Sequence, residues 1–294
     1  MKRSRAVLYA LLCLMTFIWG VNYVAAKVSL REFPPLVFAP LRSIFAAAFL
    51  IPIYAWMRKR KPHEQPWTRR ELCTLAALGV CGITLNQVFF ILGMNFTSVA
   101  HAALIIATGP VFVLLLAALR RQERVTARKA AGMAIAISGV AALQIMPGRA
   151  EGASGLGDFL VFLASFTFAL FTVFGKETTM RHDALTVNTV GYASGALAGL
   201  PLLLWQGWSF DFSAVNSGGW AMMIYMALFP SVLCYMIFYH ALTRIDASRV
   251  AAFSYAQPVI ASLTGLAVLS EPVTLPIALG GLLVLSGVWL TGRK

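Results

Sequence analysis

Long runs of hydrophobic residues, separated by short polar segments, make up most of the chain. Ten such runs occur, near residues 6–26, 36–57, 72–94, 98–119, 128–146, 158–176, 186–205, 219–241, 248–270 and 272–291. An α-helix needs about 20 apolar residues to cross a hydrocarbon layer about 30 Å thick, and each run is close to that length. The pattern therefore predicts an all-α membrane protein with ten transmembrane helices.

The second half of the chain repeats the first half. At an offset of 148 positions the matching residues are Phe90 and Phe238, Ala103 and Ala251, Pro110-Val111 and Pro258-Val259, Gly132 and Gly280, and Ser138-Gly139-Val140 and Ser286-Gly287-Val288. At an offset of 149 the matches are Phe17 and Phe166, Lys27 and Lys176, and Pro52 and Pro201. Such an ordered series indicates an internal duplication. We expect a first repeat at 1–147 and a second at 158–294, joined by a linker at 148–157.

Each repeat contains five predicted helices, and five is an odd number. The second repeat must then enter the membrane from the opposite side, so the two repeats are expected to be inverted relative to each other. Transporters built from inverted repeats have a pseudo-twofold axis in the membrane plane and place their substrate site close to it. The sequence thus predicts two inverted five-helix repeats with a site between them.

Composition and charge fit a membrane protein. The chain is 59% hydrophobic with a mean hydropathy of +0.77, so a soluble fold could not cover it with polar groups. The net charge is +13, but with a cytoplasmic N-terminus twenty Lys and Arg fall on inner segments and three (Lys27, Arg31 and Arg149) on outer ones. This positive-inside bias predicts an inner (plasma) membrane protein with both termini cytoplasmic. It accounts for the charge without a nucleic-acid partner.

Polar and aromatic residues occur near the middle of several predicted helices. The candidate substrate-binding residues are Trp19, Asn22, Tyr23, Asn86, Gln87, Phe90, Thr108, Phe171, Tyr235, Tyr239, Tyr255 and Gln257. An amide facing lipid is costly, so these side chains are expected inside the bundle. They could bind a ligand, or they could join helices by hydrogen bonds. A binding role would suit a small molecule with an apolar body and a hydrogen-bonding head.

Prolines and isolated charges mark further positions. Pro110 and Pro258 occupy matching positions within helices and are candidate hinges, although membrane helices also tolerate ordinary proline kinks.

Arg42 could attract a substrate carboxylate, but we expect it to extend to the outer surface. His101 is expected to be an interfacial or helix-contact residue. Since every Asp and Glu lies in or beside a loop, we expect facilitated movement rather than proton antiport. The alternative, proton coupling, would involve Asp158, His101 or His240.

Several motifs are absent from the sequence. It contains no glycine-rich phosphate loop, no H-E-x-x-H, no nucleophile elbow and no C-x-x-C pair. We therefore expect no cofactor, no metal site and no enzymatic activity, which disfavours a membrane-embedded enzyme acting on lipid-linked substrates. The expected partners are the lipid bilayer and a small-molecule substrate, and the sequence does not indicate an oligomeric state.

Taken together, these features resemble a known family of exporters. The stretches involved are Thr16–Tyr23, Arg42, the prolines Pro110 and Pro258, Glu123-x-Val125-Thr126 and Glu271-Pro272-Val273-Thr274. They resemble the EamA-like exporters of the drug/metabolite transporter superfamily over nearly the whole chain. The resemblance implies a central cavity lined by helices one, three, four, six, eight and nine. It also implies export of a small metabolite, such as an amino acid, or alternatively efflux of toxic organic compounds.

Overall fold

The computed structural model describes residues 2–60, 68–121, 125–145, 154–179, 181–245, 250 and 253–292, and these residues form helices and no strand. Glu123, which belongs to a motif of the family resemblance, and most of the predicted linker at 148–157 lie outside the described residues. The helices are α1 (Lys2–Ser29), α2 (Pro35–Arg60), α3 (Arg69–Gly79), α4 (Asn86–Phe96), α5 (Val99–Ile106), α6 (Gly109–Leu119), α7 (Ala127–Ile145), α8 (Gly155–Thr179), α9 (Ala184–Gly207), α10 (Ser217–Met226), α11 (Cys234–Leu242), α12 (Gln257–Leu269) and α13 (Leu275–Gly292).

Helical segments occur within every one of the predicted hydrophobic runs. In the described part of the chain, seven helical stretches are long and apolar enough to cross a membrane, and two shorter apolar helices follow at Phe253–Leu269 and Leu275–Gly287. Large apolar side chains cover the outside of the bundle, for example Leu119 at 81% and Leu197 at 71% exposure. A surface of this kind is suited to lipid. The chain is a multi-pass helical membrane protein.

Two of the long stretches contain a π-helical turn that the hydrophobic pattern does not reveal. Val80–Leu85 connects α3 to α4, and Ala227–Leu233 connects α10 to α11. The two turns occupy matching positions in the sequence repeats. Pro230 lies inside the second turn and has no N–H, so it cannot donate the α-helical hydrogen bond to the carbonyl of Met226. Pro230 therefore alters the backbone hydrogen bonds of the second turn, although it has no counterpart in the first repeat.

The fourth helix of each repeat is interrupted rather than simply kinked. Helix α5 ends at Ile106 and α6 begins at Gly109, which places Pro110 in the first turn of α6. In the second repeat a 3₁₀ turn at Phe253–Ala256 precedes α12, whose first turn contains Pro258. A proline in a first turn removes no helical hydrogen bond. The expectation of mid-helix prolines is therefore corrected, while their role as hinges stays a prediction.

The last helices of the two repeats pack against each other through matching glycines. A Cβ atom on Gly139 would lie 2.7 Å from the carbonyl oxygen of Gly280, and one on Gly287 would lie 2.5 Å from that of Gly132. Gly139 matches Gly287 and Gly132 matches Gly280 in the sequence repeat. The contact between α7 and α13 is therefore reciprocal, as expected for two copies related by a twofold axis.

Polar contacts join helices at both ends of the bundle. At one end Arg181, which follows α8, binds Glu71 in the first turn of α3 at 2.5 Å. At the other end the Thr97 hydroxyl, between α4 and α5, donates to Asp158 in the first turn of α8. His101 Nδ1 lies 3.3 Å from the same carboxylate, and both side chains are buried. His101 is thus a helix-contact residue.

Candidate functional site

A cavity of about 110 Å³ lies between helices of the two repeats. One water molecule needs about 10–15 Å³ on this measure, so the cavity can hold a small molecule. The first repeat contributes Trp19, Asn22, Tyr23, Arg42, Asn86, Gln87, Phe90, Ile106, Gly109, Pro110 and Val113. The second contributes Ser165, Phe168, Ala169, Thr172, Tyr235, Phe238, Val250, Ser254 and Gln257.

Most of the candidate residues come together at this cavity. Those that line it are Trp19, Asn22, Tyr23, Asn86, Gln87, Phe90, Tyr235 and Gln257, with the candidate hinge Pro110. They approach one another from α1, α4, α6, α11 and α12, which are far apart in sequence.

The other candidates lie outside the described cavity wall, for identifiable reasons. The Thr108 hydroxyl donates to the Ile105 carbonyl of its own helix at 2.6 Å. Phe171 and Tyr239 are almost fully buried and pack against each other with ring centroids 5.8 Å apart. Tyr255 packs against the apolar cluster around Ala107 and Val111, and Pro258 is buried beside Gln257 without lining the cavity. The structure thus places these five residues outside the described cavity wall, and their roles in binding or as a hinge stay predictions.

An aromatic cluster forms one wall of the cavity. The Trp19 ring meets Phe168 and Tyr235 edge to face, with centroids 6.0 and 5.9 Å apart, and Phe238 at 5.9 Å. Its Nε1 donates to the carbonyl of Pro230 at 3.1 Å. A tryptophan N–H in an apolar interior needs such an acceptor, and the π-helical turn supplies it. The result is a fixed apolar surface suited to the hydrocarbon part of a ligand.

Amide side chains provide the polar part of the wall. The Tyr23 hydroxyl donates to Gln257 Oε1 at 3.2 Å, which links α1 to α12. Asn86 Nδ2 donates to the Ala164 carbonyl at 2.8 Å, so this residue joins α4 to α8 as well as lining the cavity. By contrast, Asn22 Oδ1 is buried and has no hydrogen-bond partner. A buried carbonyl oxygen without a donor is unfavourable unless a ligand supplies one.

Arg42 also lines the cavity, and the expectation that it extends to the outer surface is wrong. Its side chain is only 2% exposed. Nε donates to the Met226 carbonyl at 3.2 Å and to Ser231 Oγ at 3.0 Å. The Met226 carbonyl and the Ser231 hydroxyl of the second repeat thus hold an arginine of the first repeat inside the bundle.

The internal repeat could have identified several lining residues that the polar pattern missed. Applying the same offsets to the residues of one repeat pairs Trp19 with Phe168, Tyr23 with Thr172, Gln87 with Tyr235, Phe90 with Phe238, Ile106 with Ser254, and Gly109 with Gln257. Both members of every one of these pairs line the cavity. Arg42, the single charged residue among the described members of the wall, matches Gly191, which does not line the cavity.

Comparison with known proteins agrees with the helical, duplicated architecture. The EamA-like transporter family matches residues 6–144 and again 155–293. A solved crystal structure superposes with a TM-score of 0.68 at 16% identity, covering 98% of this chain and 97% of that one. At that identity the likeness concerns the fold alone.

Curated relatives are similar over almost their whole length. An uncharacterized transporter of Archaeoglobus fulgidus is 29% identical over 97% of both chains. A probable terminal-alkyne amino-acid exporter of Streptantibioticus cattleyicolor is 28% identical over 100% of this chain and 95% of its own. A probable amino-acid metabolite efflux pump of Escherichia coli is 26% identical over 94% and 92%. With both halves matched by the family, this chain belongs to the EamA-like transporter family.

Proposed function

We propose that this protein exports a small amphipathic metabolite, an amino acid or a related compound, across the inner membrane through the cavity. The observation that carries the proposal is the composition of the cavity wall. Side chains at matching positions of the two repeats combine an aromatic surface with amide groups, and this suits a ligand with an apolar body and a polar head. The relatives named as amino-acid exporters support the same substrate class.

We further propose ten membrane crossings in two inverted repeats with cytoplasmic termini. Support comes from the contacts at the ends of the bundle. Helix α8 begins beside Thr97, at the end of α4, and the chain after α8 contacts Glu71 at the start of α3. Helix α8 therefore runs antiparallel to α3 and α4. If α2 crosses the membrane once, α1 and α3 run in the same direction. Helix α8, which matches α1 in the sequence repeat, then runs in the opposite direction to α1.

The contacts also bear on access to the cavity. Val250 and Ser254 extend its wall toward the proposed cytoplasmic side. On the opposite side Glu271 Oε2 accepts a hydrogen bond from the Val99 backbone N–H at 2.9 Å, which ties the second repeat to the start of α5. This arrangement supports a conformation closed toward the outside. Opening there would require the Glu271 contact to break.

The proposed orientation predicts which sites a membrane-impermeant thiol reagent can reach. Gly155 and Ala214 are exposed at the proposed outer side, and Arg181 is exposed at the inner side. In intact cells we expect labelling of Gly155→Cys and Ala214→Cys but not of Arg181→Cys, which should react only after the membrane is opened. Each variant is made in a background from which the four native cysteines have been removed. Labelling of Arg181→Cys in sealed cells would contradict the inverted arrangement.

Transport itself can be tested with purified protein in liposomes loaded with radiolabelled compounds. The panel contains apolar amino acids and toxic organic cations, with empty liposomes as the control. We expect efflux of at least one amino acid. Movement of the organic cations alone would favour the alternative of toxic-compound efflux, and no movement of any compound would contradict the proposed function.

The same liposomes test energy coupling. Neither Asp158 nor His101 is among the described residues that line the cavity. We therefore expect substrate to move down its own gradient, at a rate that does not change when a pH gradient is imposed at clamped voltage. If a pH gradient alone drives the substrate uphill, this expectation is wrong, and His101→Gln becomes the first variant to examine.

A further inference from the structure

We propose that Arg42 is the anion-binding group of the cavity and that the transported compound carries a carboxylate. This inference rests on the proposed transport function and deepens it, because it names the chemical group that the cavity selects.

Arg42 carries a buried charge that the described cavity wall does not compensate. An arginine side chain stays protonated in proteins, so Arg42 keeps its positive charge inside the bundle. Among the described residues that line the cavity, none is acidic. Nη1 of Arg42 is buried and has no hydrogen-bond partner. A buried charge is tolerated when a partner of opposite sign offsets its desolvation, and no residue of the described cavity wall supplies such a partner.

The guanidinium of Arg42 is held in place along one edge. Nε is occupied by the Met226 carbonyl and by Ser231 Oγ, and Ser231 itself donates to the same carbonyl at 3.1 Å. The π-helical turn at Pro230 thus fixes one edge of the guanidinium plane. A fixed guanidinium with a free N–H is prepared for a planar anion such as a carboxylate. Because the side chain is already ordered, it loses little further conformational entropy when the ligand binds.

The same cavity contains an acceptor, Asn22, that complements Arg42. Asn22 Oδ1 is a buried oxygen without a donor, whereas Arg42 Nη1 is a buried donor without an acceptor. A zwitterionic α-amino acid has a carboxylate for the arginine and an ammonium for the amide oxygen. The faces of Trp19 and Phe90, which also line the cavity, can attract the ammonium in addition. A simple cation would satisfy only Asn22 and would be repelled by Arg42.

The experiment compares amino acids, which carry a carboxylate, with the corresponding amino-acid amides, in which an uncharged amide group replaces it. Liposomes containing the wild type, Arg42→Gln or Arg42→Lys are assayed with radiolabelled leucine, phenylalanine and methionine and with the corresponding amino-acid amides. Arg31→Gln serves as a matched control, because Arg31 is an exposed arginine in the segment after α1. We expect the wild type and Arg31→Gln to prefer the acids by at least tenfold. Arg42→Gln should lose this preference, and Arg42→Lys should keep part of it because it retains the charge without the planar fork.

Binding is measured in parallel, so that the inference can fail separately from the proposed function. Leucine should raise the melting temperature of the detergent-purified wild type, leucine amide should not, and Arg42→Gln should respond to neither. Equal transport of acids and amides by the wild type would overturn the inference while leaving the transport function intact. So would an acid preference that survives in a well-folded Arg42→Gln protein. If Arg42→Gln does not fold, an unchanged acid-to-amide ratio in Arg42→Lys counts against the inference, as does a wild type that no carboxylate stabilises.

Discussion

Gly139→Leu is expected to abolish most of the folded protein, because this position has no room for a side chain. A Cβ atom at Gly139 would lie 2.7 Å from both the Gly280 carbonyl oxygen and the Val284 backbone nitrogen. These are backbone atoms of α13, so α7 and α13 would have to separate. Overpacking of a close interface costs typically 1–3 kcal/mol, and we expect about 3 kcal/mol or more here.

The measurement is the yield of monodisperse protein in detergent together with its melting temperature. Gly155→Leu is the matched control, because a Cβ atom at Gly155 meets nothing within 4 Å. The control should behave like the wild type. If the Gly139→Leu protein melts at the wild-type temperature, then the reciprocal glycine contact does not hold the two repeats together.

Gln257→Ala is expected to lower transport about tenfold while leaving the amount of protein in the membrane near normal. The side chain lines the cavity and accepts a hydrogen bond from the Tyr23 hydroxyl. Its removal deprives a ligand of a polar contact and leaves the Tyr23 hydroxyl without an acceptor. An unsatisfied buried group costs about 1–3 kcal/mol, and 1.4 kcal/mol corresponds to a factor of ten.

Two further variants separate substrate binding from helix attachment. Thr264→Ala is the control on the same helix, because the Thr264 hydroxyl donates to carbonyls of α12 itself and does not line the described cavity. Tyr23→Phe with Gln257→Leu removes both partners of the hydrogen bond at once. If the bond only joins α1 to α12, this double variant should recover transport. If Gln257 binds substrate, transport should stay low at normal abundance.

Arg42 shows why a sequence pattern can locate a residue without placing its side chain. Its position two turns from the helix end favoured extension to the surface, since that costs less than burial in lipid. The structure instead supplies acceptors from Met226 and Ser231, about 185 residues away in sequence. Neither acceptor is recognisable from the sequence, because both lie at a π-helical turn of the second repeat against which α2 packs.

The sequence pattern also does not give the placement of the Asp158 and His101 side chains. Each lies near the end of a hydrophobic run, where a charged or polar residue ordinarily faces water. The packing of α5 beside the start of α8 buries both and brings them into contact. Burial of a pair depends on which helices become neighbours, and hydropathy along one helix does not contain that information.

The sequence by itself determined the helical class, the position of the hydrophobic runs, the duplication and the family. These properties depend on composition and spacing, because the bilayer requires long apolar helices and a duplication preserves the order of residues. The tertiary structure alone decided which polar residues line the cavity, where the helices break, and that a buried arginine faces the cavity. Those properties depend on contacts between residues remote in sequence, chiefly those of the Met226 carbonyl and the Ser231 hydroxyl with Arg42.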